Sequence, residues 1–474
     1  MQAFLRNTLS AIGLSIFPVA AALAAPPVDG ILDPGFGTGG VAITSFDQTP
    51  DFADTAEGIA ISPSGRIYLA ASIGALVQGV NRVRFGLARF MADGQLDTAF
   101  SGDGLASPVS ASLASQNQWA SGVVVRADGK PVVYGIRYPG GGARAKLLVC
   151  RYAVAGNLDP GFDSDGCVEP TLALIDNGEE NAQTAIGLPD NRILIGGRVG
   201  VNPANPDHLD ALVLMLNEDG SVAGSFGTSG YTLLQPPGSI FAYVSRLVRL
   251  GDGRFIAIGT ADVGMFAVRL SAAGQIDPTF GVNGYAIVSY ADLHNLQFTH
   301  DWAESGAVDS QGRIYFCGRI TYGNNGNQSV MAFARLTPAG LLDTSFSTDG
   351  RIVQPFIDVF ATSNVADCAV DTQDRLVAAV HTGTAVPLNG DYGVLRLLPD
   401  GNFDPRFNVI GQTRAALDLG GNGVGHERVE AMALMDGRVI VAGTVFSTNG
   451  GSANGEQMGL LRFGSDRPFA DGFE

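Results

Sequence analysis

Three short phrases recur in a fixed order along the 474 residues, and this periodicity limits the fold more than any other feature. The first phrase reads LDPGFGTGG at Leu32, LDTAFSGDG at Leu96 and LDPGFDSDG at Leu158. Its phenylalanine returns as Phe36, Phe100, Phe162, Phe226, Phe280, Phe346 and Phe407, at spacings between 54 and 66 residues. The second is a turn running into an apolar strand, as in SGRIYLA at Ser64, DGKPVVYG at Asp128 and DNRILIGG at Asp190. It continues at Asp252, Gln311, Gln373 and Asp436. The third is an alternating strand that ends in Arg and an apolar residue, as in GLARF, LLVCRY, FAVRL, AFARL, GVLRL and GLLRF. Self-similarity at such a period marks a repeat architecture.

Each unit holds four short strands; the first unit gives Glu57–Ser62, Arg66–Ser72, Phe85–Met91 and Leu105–Val109. Asp-Gly and Ser-Gly pairs suit hairpin turns between the first two strands. A four-stranded antiparallel unit of about sixty residues is a propeller blade. The expected fold is therefore all-β, a seven-bladed β-propeller of four-stranded antiparallel blades in one domain, residues 30–464. The chain begins with the first phrase and a strand, Gly40–Phe46, and ends with a third strand, Leu460–Phe463, that lacks its fourth. The N-terminal strand is expected to complete the last blade, leaving no open sheet edge. A linear solenoid is the competing architecture, but it leaves both half-units unpaired.

Comparison of the units gives the first phrase a role. The Arg of the third phrase precedes the Asp of the first by eight residues in Arg89/Asp97, Arg151/Asp159, Arg269/Asp277, Arg335/Asp343 and Arg396/Asp404. In one unit both are lost together, to Met215 and Ala223. Joint loss is what a buried ion pair predicts, because losing one partner strands the other. Arg462 has no local Asp, and ring closure would offer it Asp33. The alternative is that each Asp caps its turn.

Four cysteines and the first residues point to export. MQAFLRNTLSAIGLSIFPVAAALAAPP has a basic start, an apolar run and Ala22-Leu23-Ala24, the pattern of a signal peptide spanning residues 1–25. Cys150 and Cys167 flank one copy of the first phrase and are a candidate disulfide; Cys317 and Cys368 read equally well as buried thiols. The expected location is periplasmic, secreted or on the surface of a Gram-negative bacterium. The formal charge of -17, with only two lysines, argues against nucleic acid and anionic lipid. No later stretch is long and apolar enough to span a bilayer, and the chain is expected to act as a monomer.

The turns on one face are short and repetitive, whereas the connections on the other are long and differ in every unit. Examples are YPGGGARAK from Tyr138, GVNPANPDHLD from Gly200, TYGNNGNQS from Thr321 and FSTNGGSANGEQ from Phe446. Variable loops on a rigid scaffold are where binding resides. The same face should bring Trp119, Tyr243, His300, Asp301, Trp302, His426 and Glu427 towards the channel mouth as ligand-contact candidates. No catalytic set, metal site or cofactor is expected: there is no GxSxG or HExxH, and DSDG at Asp163 lacks the spacing of a calcium loop. The leading expectation is an exported binding module for a protein or extracellular glycan. The rival is a propeller enzyme, a lyase or quinone-dependent dehydrogenase, at the channel mouth. Clustered His, Arg and acids around the channel would favour the enzyme, and a plugged channel the binder.

The combined pattern LDxxFGxxG, DGRIxxAG and ARLxxDGxLD resembles the delta-60 repeat family of bacterial exported proteins. That resemblance implies a β-propeller-like fold without an established activity, so it transfers no catalytic residues. The terminal DRPFADGFE, within residues 465–474, looks like a short tail with a role in sorting or surface attachment.

Overall fold

A computed structural model describes residues 29–464 apart from 47–53, 78, 109, 173–177, 203–204, 206–207, 293–297, 323–327, 357–361, 386–387, 418–426 and 447–455. The expected signal peptide and tail lie outside the described residues. Apart from a 3-10 turn at Ala111–Leu113, the regular elements among the described residues are strands. The first unit runs Thr55–Ile61, Ile67–Val77, Val80–Phe90 and Leu105–Ala106, each antiparallel to the one before. Middle strands such as Phe255–Ala261 are buried on both faces, so they read as continuous apolar runs. The first strand of each unit alternates buried and partly exposed residues, because its second face borders a channel.

These first strands form the inner wall. Thr55–Ile61, Asn117–Val125, Glu180–Gly187, Ala242–Arg249, Phe298–Val308, Thr362–Val370 and Arg428–Met435 each pack on the next, and the last returns to the first. The fold is an all-β propeller. The expectation of seven separate four-stranded blades is corrected by the hydrogen bonding, which joins the strands into six sheets. Four of these have four strands. The ring-closing sheet has five, because Ile31–Leu32 and Val41–Thr44 both pair with Glu456–Gly464. Another has eight, because Ser329 pairs in parallel with Thr362 of the adjoining inner strand. The cause is local. Thr362 is already regular strand where it meets Ser329, whereas the comparable parallel bridge Leu209–Phe241 falls just before the strand Ala242–Arg249 and leaves those sheets separate.

The repeated Arg makes three contacts at once. Arg335 Nε lies 2.7 Å from Asp343 Oδ2, its guanidinium sits 4.9 Å from the Phe346 ring centroid, and Nη1 donates to the Pro399 carbonyl of the next unit. Arg89/Asp97 (3.0 Å), Arg151/Asp159 (2.9 Å), Arg269/Asp277 (2.8 Å), Arg396/Asp404 (2.8 Å) and Arg462/Asp33 (3.0 Å) make the same pair. Arg89 and Arg269 likewise reach the carbonyls of Val154 and Pro338 in the next unit, and Arg462 reaches Ala92 across the closure. The Asp also caps its turn: the Oδ1 atoms of Asp33, Asp159 and Asp343 accept the amides of Gly35, Gly161 and Ser345. Pairing and capping are simultaneous, one on each carboxylate oxygen. A second cation that the sequence reading missed comes from the turn phrase, with Arg66 2.7 Å from Asp97, Lys130 2.7 Å from Asp159 and Arg438 3.0 Å from Asp33.

At Asp404 the expected pair with Arg396 is present and joins a larger network. Asp404 is 1% exposed, the most buried of the six aspartates. Its Oδ2 is shared by two cations, 2.8 Å from Arg396 Nε and 3.2 Å from Arg375 Nη1, while Oδ1 accepts Arg406 N at 2.9 Å. Arg396 is shared in turn, with Nη2 2.7 Å from Asp29 Oδ2. The reason is desolvation: a carboxylate cut off from water needs several donors to replace its hydration, and one guanidinium nitrogen does not suffice. Asp404 is thus the centre of a buried network rather than half of an isolated bridge.

The phenylalanines lock successive units. Phe280 lies beneath Gly340 of the next unit, where a Cβ would come within 2.9 Å of the ring and 2.7 Å of the Gly281 nitrogen. Gly340 also holds φ +84°, a second reason for glycine there. Beside this contact Gly281 N donates to Ala339 O at 2.8 Å, and the same bond closes the ring from Gly37 N to Asp93 O at 2.6 Å. Where the ion pair is absent, Met215 and Ala223 join an apolar cluster with Phe226, Phe255 and Leu270. Two disulfides, Cys150–Cys167 and Cys317–Cys368, add covalent ties, the second joining Ile314–Tyr322 to the next inner strand.

Met215 and Ala223 suggest a direct test. Arg335→Met or Asp343→Ala alone should cost about 3 kcal/mol, since each leaves a charge with little water. The double substitution should recover at least about 1 kcal/mol of the summed loss in denaturant unfolding. Strict additivity would show that the two side chains stabilise the fold independently.

Candidate functional site

Every inner strand carries a β-bulge at the equivalent position, and Phe298–Val308 has a second register shift near its start. Register shifts leave Glu57, Ser121, Gln183, Ser245, Glu304, Ala366 and Glu430 as extra residues against their partner strands. A bulge removes a residue from the ladder and re-aims its side chain. All of these residues line one cavity of about 380 Å3 at the centre of the ring. Two residues upstream on four of the same strands, towards the long-loop face, Tyr243, Asn364, Arg428 and Trp302 mark the mouth; the first three line the cavity directly.

The cavity is polar and charged. Thr55 Oγ1 donates to Glu57 Oε1 at 2.8 Å, Arg319 pairs with Glu304, and Arg428 Nε lies 2.5 Å from Glu430 Oε1. His381 completes a His, Arg and carboxylate set around the wall. Burial pushes Glu57, Glu304 and Glu430 above the usual carboxylate range, and Glu430 rises to about 8. Arg428 opposes the Glu430 shift, while repulsion from Glu57 and Glu304 adds to it. Burial wins because the Arg428 side chain is 69% exposed and its charge is screened by water. One residue further along the strands, Asp367 Oδ1 lies 3.3 Å from Arg246 Nη1 and accepts Ser305 Oγ at 2.7 Å. Its Oδ2 accepts Met432 N at 3.0 Å. This network ties four inner strands beneath the bulges.

The structure separates the sequence candidates. Tyr243 lines the cavity and lies 6.5 Å from Trp302, whose ring carries Arg319 at 5.5 Å and His300 at 5.5 Å. Those three candidates form one aromatic arc. Trp119 instead packs edge-on against Tyr138 at 5.0 Å. Asp301 turns away, as alternation along a strand requires, and its Oδ2 accepts Tyr290 N at 3.0 Å. Glu427 is buried and accepts Leu417 N at 2.6 Å, a structural contact. His426 lies outside the described residues. The paired residues, Arg396 and Asp404 included, take no part in the cavity wall and belong to the scaffold.

The sequence reading missed Glu57, Glu304, Glu430, Arg319, Arg428 and His381. A signal was present: Glu57, Ser121, Ser245 and Glu304 each stand eight residues before the glycine of the next turn, Gly65, Gly129, Gly253 and Gly312. A bulge shifts the alternation by one, so these positions read as ordinary strand residues unless the units are aligned on their turns. Among the described residues no group of three or more His, Cys, Asp or Glu side chains is placed to hold a metal ion.

A family model described as "Domain of unknown function (DUF5122) beta-propeller" matches residues 62–100 and 310–346, which supports a propeller repeat family. No curated protein matches the chain. Among solved structures, polysaccharide lyase Uly1 is 12% identical, with 93% of this chain and 97% of that one covered at a TM-score of 0.46. An ulvan lyase bound to -[GlcA(1-4)Rha3S]- is 12% identical over 87% and 95%, with a TM-score of 0.49. The β-propeller domain of the Trilobed protease from Pyrococcus furiosus is 8% identical over 87% and 94%, with a TM-score of 0.40. Likeness of this size carries no argument about chemistry.

Glu430 gives the site a pH signature. Its folded value of about 8 exceeds the ordinary 4.5, so folding takes up a proton that the unfolded chain releases. The resulting stability is complete below about 4.5 and lost as pH rises through about 8. Glu430→Gln should flatten that decline and raise the melting temperature by a few degrees at about pH 9. A melting profile that stays the same as wild type across this window would remove the assignment.

Proposed function

We propose that this chain is an exported binding module of the delta-60 repeat type that takes a glycan at the channel mouth. The observation that carries the reading is the cavity itself. Polar groups ring its wall at the level of the bulges, with the aromatic arc of Tyr243 and Trp302 at the rim. Sugars present hydroxyl edges and apolar ring faces, so a polar wall beneath aromatic rings suits them. The disulfides agree with an oxidising compartment outside the cytoplasm.

A second reading is favoured by one observation. Glu430 holds its proton near neutral pH and shares the wall with Glu57 and Glu304, the requirement for a general acid beside carboxylates. In that reading the cavity cleaves the glycan it binds.

Binding by calorimetry and release of new sugar ends separate the two. On the binding reading, Trp302→Ala should lower glycan affinity about tenfold or more, the size of one lost aromatic contact, with the melting temperature unchanged. Steady release of new ends, abolished by Glu430→Gln with binding retained, would establish the enzyme instead. Export has its own check. N-terminal sequencing of protein from the cell envelope or medium should start after Ala24 or Ala25; full-length chain confined to the cytoplasm would contradict it.

A further inference from the structure

We propose that the cavity is specific for a cationic glycan, one whose sugar residues carry free primary amines, and that the ammonium sits against the arc formed by Glu304, Glu430 and Glu57. This inference deepens the glycan-binding reading and rests on it.

The bulge ring is asymmetric. Glu304, Ala366, Glu430 and Glu57 follow one another on adjoining inner strands, whereas the opposite arc carries Ser121, Gln183 and Ser245. One half of the cavity therefore sets three glutamates against Arg319 and Arg428, and the other half is neutral. Arg319 and Arg428 pair with Glu304 and Glu430, while Glu57 is held by the hydroxyls of Thr55 and Ser72 with Arg428 nearby. The neutral side adds an acceptor. The Gln183 side chain lines the wall there, and its Oε1 has no donor among the described residues. Buried acceptors without donors are costly, and a ligand that brings N–H or O–H groups removes the cost. An ammonium group brings three donors and no acceptor, so it fits a wall of carboxylate and amide oxygens. The whole-chain charge of -17 draws cations towards the channel and repels anionic polymers.

The upward shifts of the three glutamates agree with this geometry, since carboxylates crowded in a half-buried wall hold protons that a cation would displace. Arg319, Arg428, His381 and Tyr243 are the other titratable groups of the wall. Ammonium binding should thus release protons near neutral pH.

The test titrates the full chain with a glucosamine disaccharide, its N-acetylated counterpart and lysine amide, in two buffers of different ionisation enthalpy. The glucosamine disaccharide should bind at least about tenfold more tightly than the N-acetylated one, as expected for a charge-assisted contact. Protons should be released, and Glu57→Gln should abolish the preference without changing the melting temperature. Equal binding of both sugars would overturn the cationic inference while leaving the glycan reading intact. Lysine amide binding with neither sugar bound would overturn the amino-sugar assignment and the glycan reading together, as would no binding at all.

Discussion

The ring depends on one three-way contact, in which an arginine pairs with an aspartate, covers a phenylalanine and donates to the next unit. Each part is marginal alone. The ion pair must offset the desolvation of both charges, and a cation over a ring contributes about 0.5–2 kcal/mol. Together they leave little of the guanidinium unsatisfied: in Arg335 the Nε faces Asp343, Nη1 reaches Tyr315 and Pro399, and Nη2 reaches Ser345. That saturation explains how a side chain 1% exposed can keep its charge. Because one contact points to the following unit, the same residues that hold a unit together also fix its neighbour. The contact from Arg462 to Asp33 and Ala92 closes the ring on the same terms.

A scaffold repeated this strictly can vary elsewhere, and the bulges are where it does. Every unit keeps the bulge, since it bends the inner strand around the channel, while its residue changes from Glu to Ser, Gln or Ala. Backbone geometry is thus held constant and chemistry is free to differ. The junction built on Met215 and Ala223 shows the scaffold's own tolerance. An apolar cluster replaces an ion pair there, the exchange that buried pairs permit when both partners change.

Sequence and structure agree to different depths for physical reasons. The phrases mark turns, and turn residues have strict backbone requirements, so strand order and the Arg–Asp register could be read directly. The extra cations on these aspartates could not, because Arg66, Lys130 and Arg375 lie 31, 29 and 29 residues from Asp97, Asp159 and Asp404 and meet them only through the fold. Sheet boundaries were equally hidden, since the Ser329–Thr362 pair is a single parallel bridge that only the fold brings about. The site was hardest. Trp302, Tyr243 and His300 stood out because they are rare residue types near a variable face, and they do share the mouth. Asp301 and Glu427 stood out by the same criterion, yet their carboxylates cap backbone amides. The bulge glutamates were hidden in strands whose one-residue register shift defeats period-two reading.

The order of the bulge residues has a consequence for how any ligand would lie. Acidic strands are grouped rather than alternated, so the ionisable groups lie on the Glu57, Glu304 and Glu430 side and the neutral ones on the Ser121, Gln183 and Ser245 side. The aromatic arc is off-centre as well, since Tyr243 and Trp302 stand on adjoining strands at the boundary between the two halves. A ligand with one charged end and one apolar face can satisfy both only in a single orientation. A symmetric ring of identical residues would hold it equally well in several. Breaking the repeat at these positions converts a closed, nearly uniform scaffold into a site with a direction.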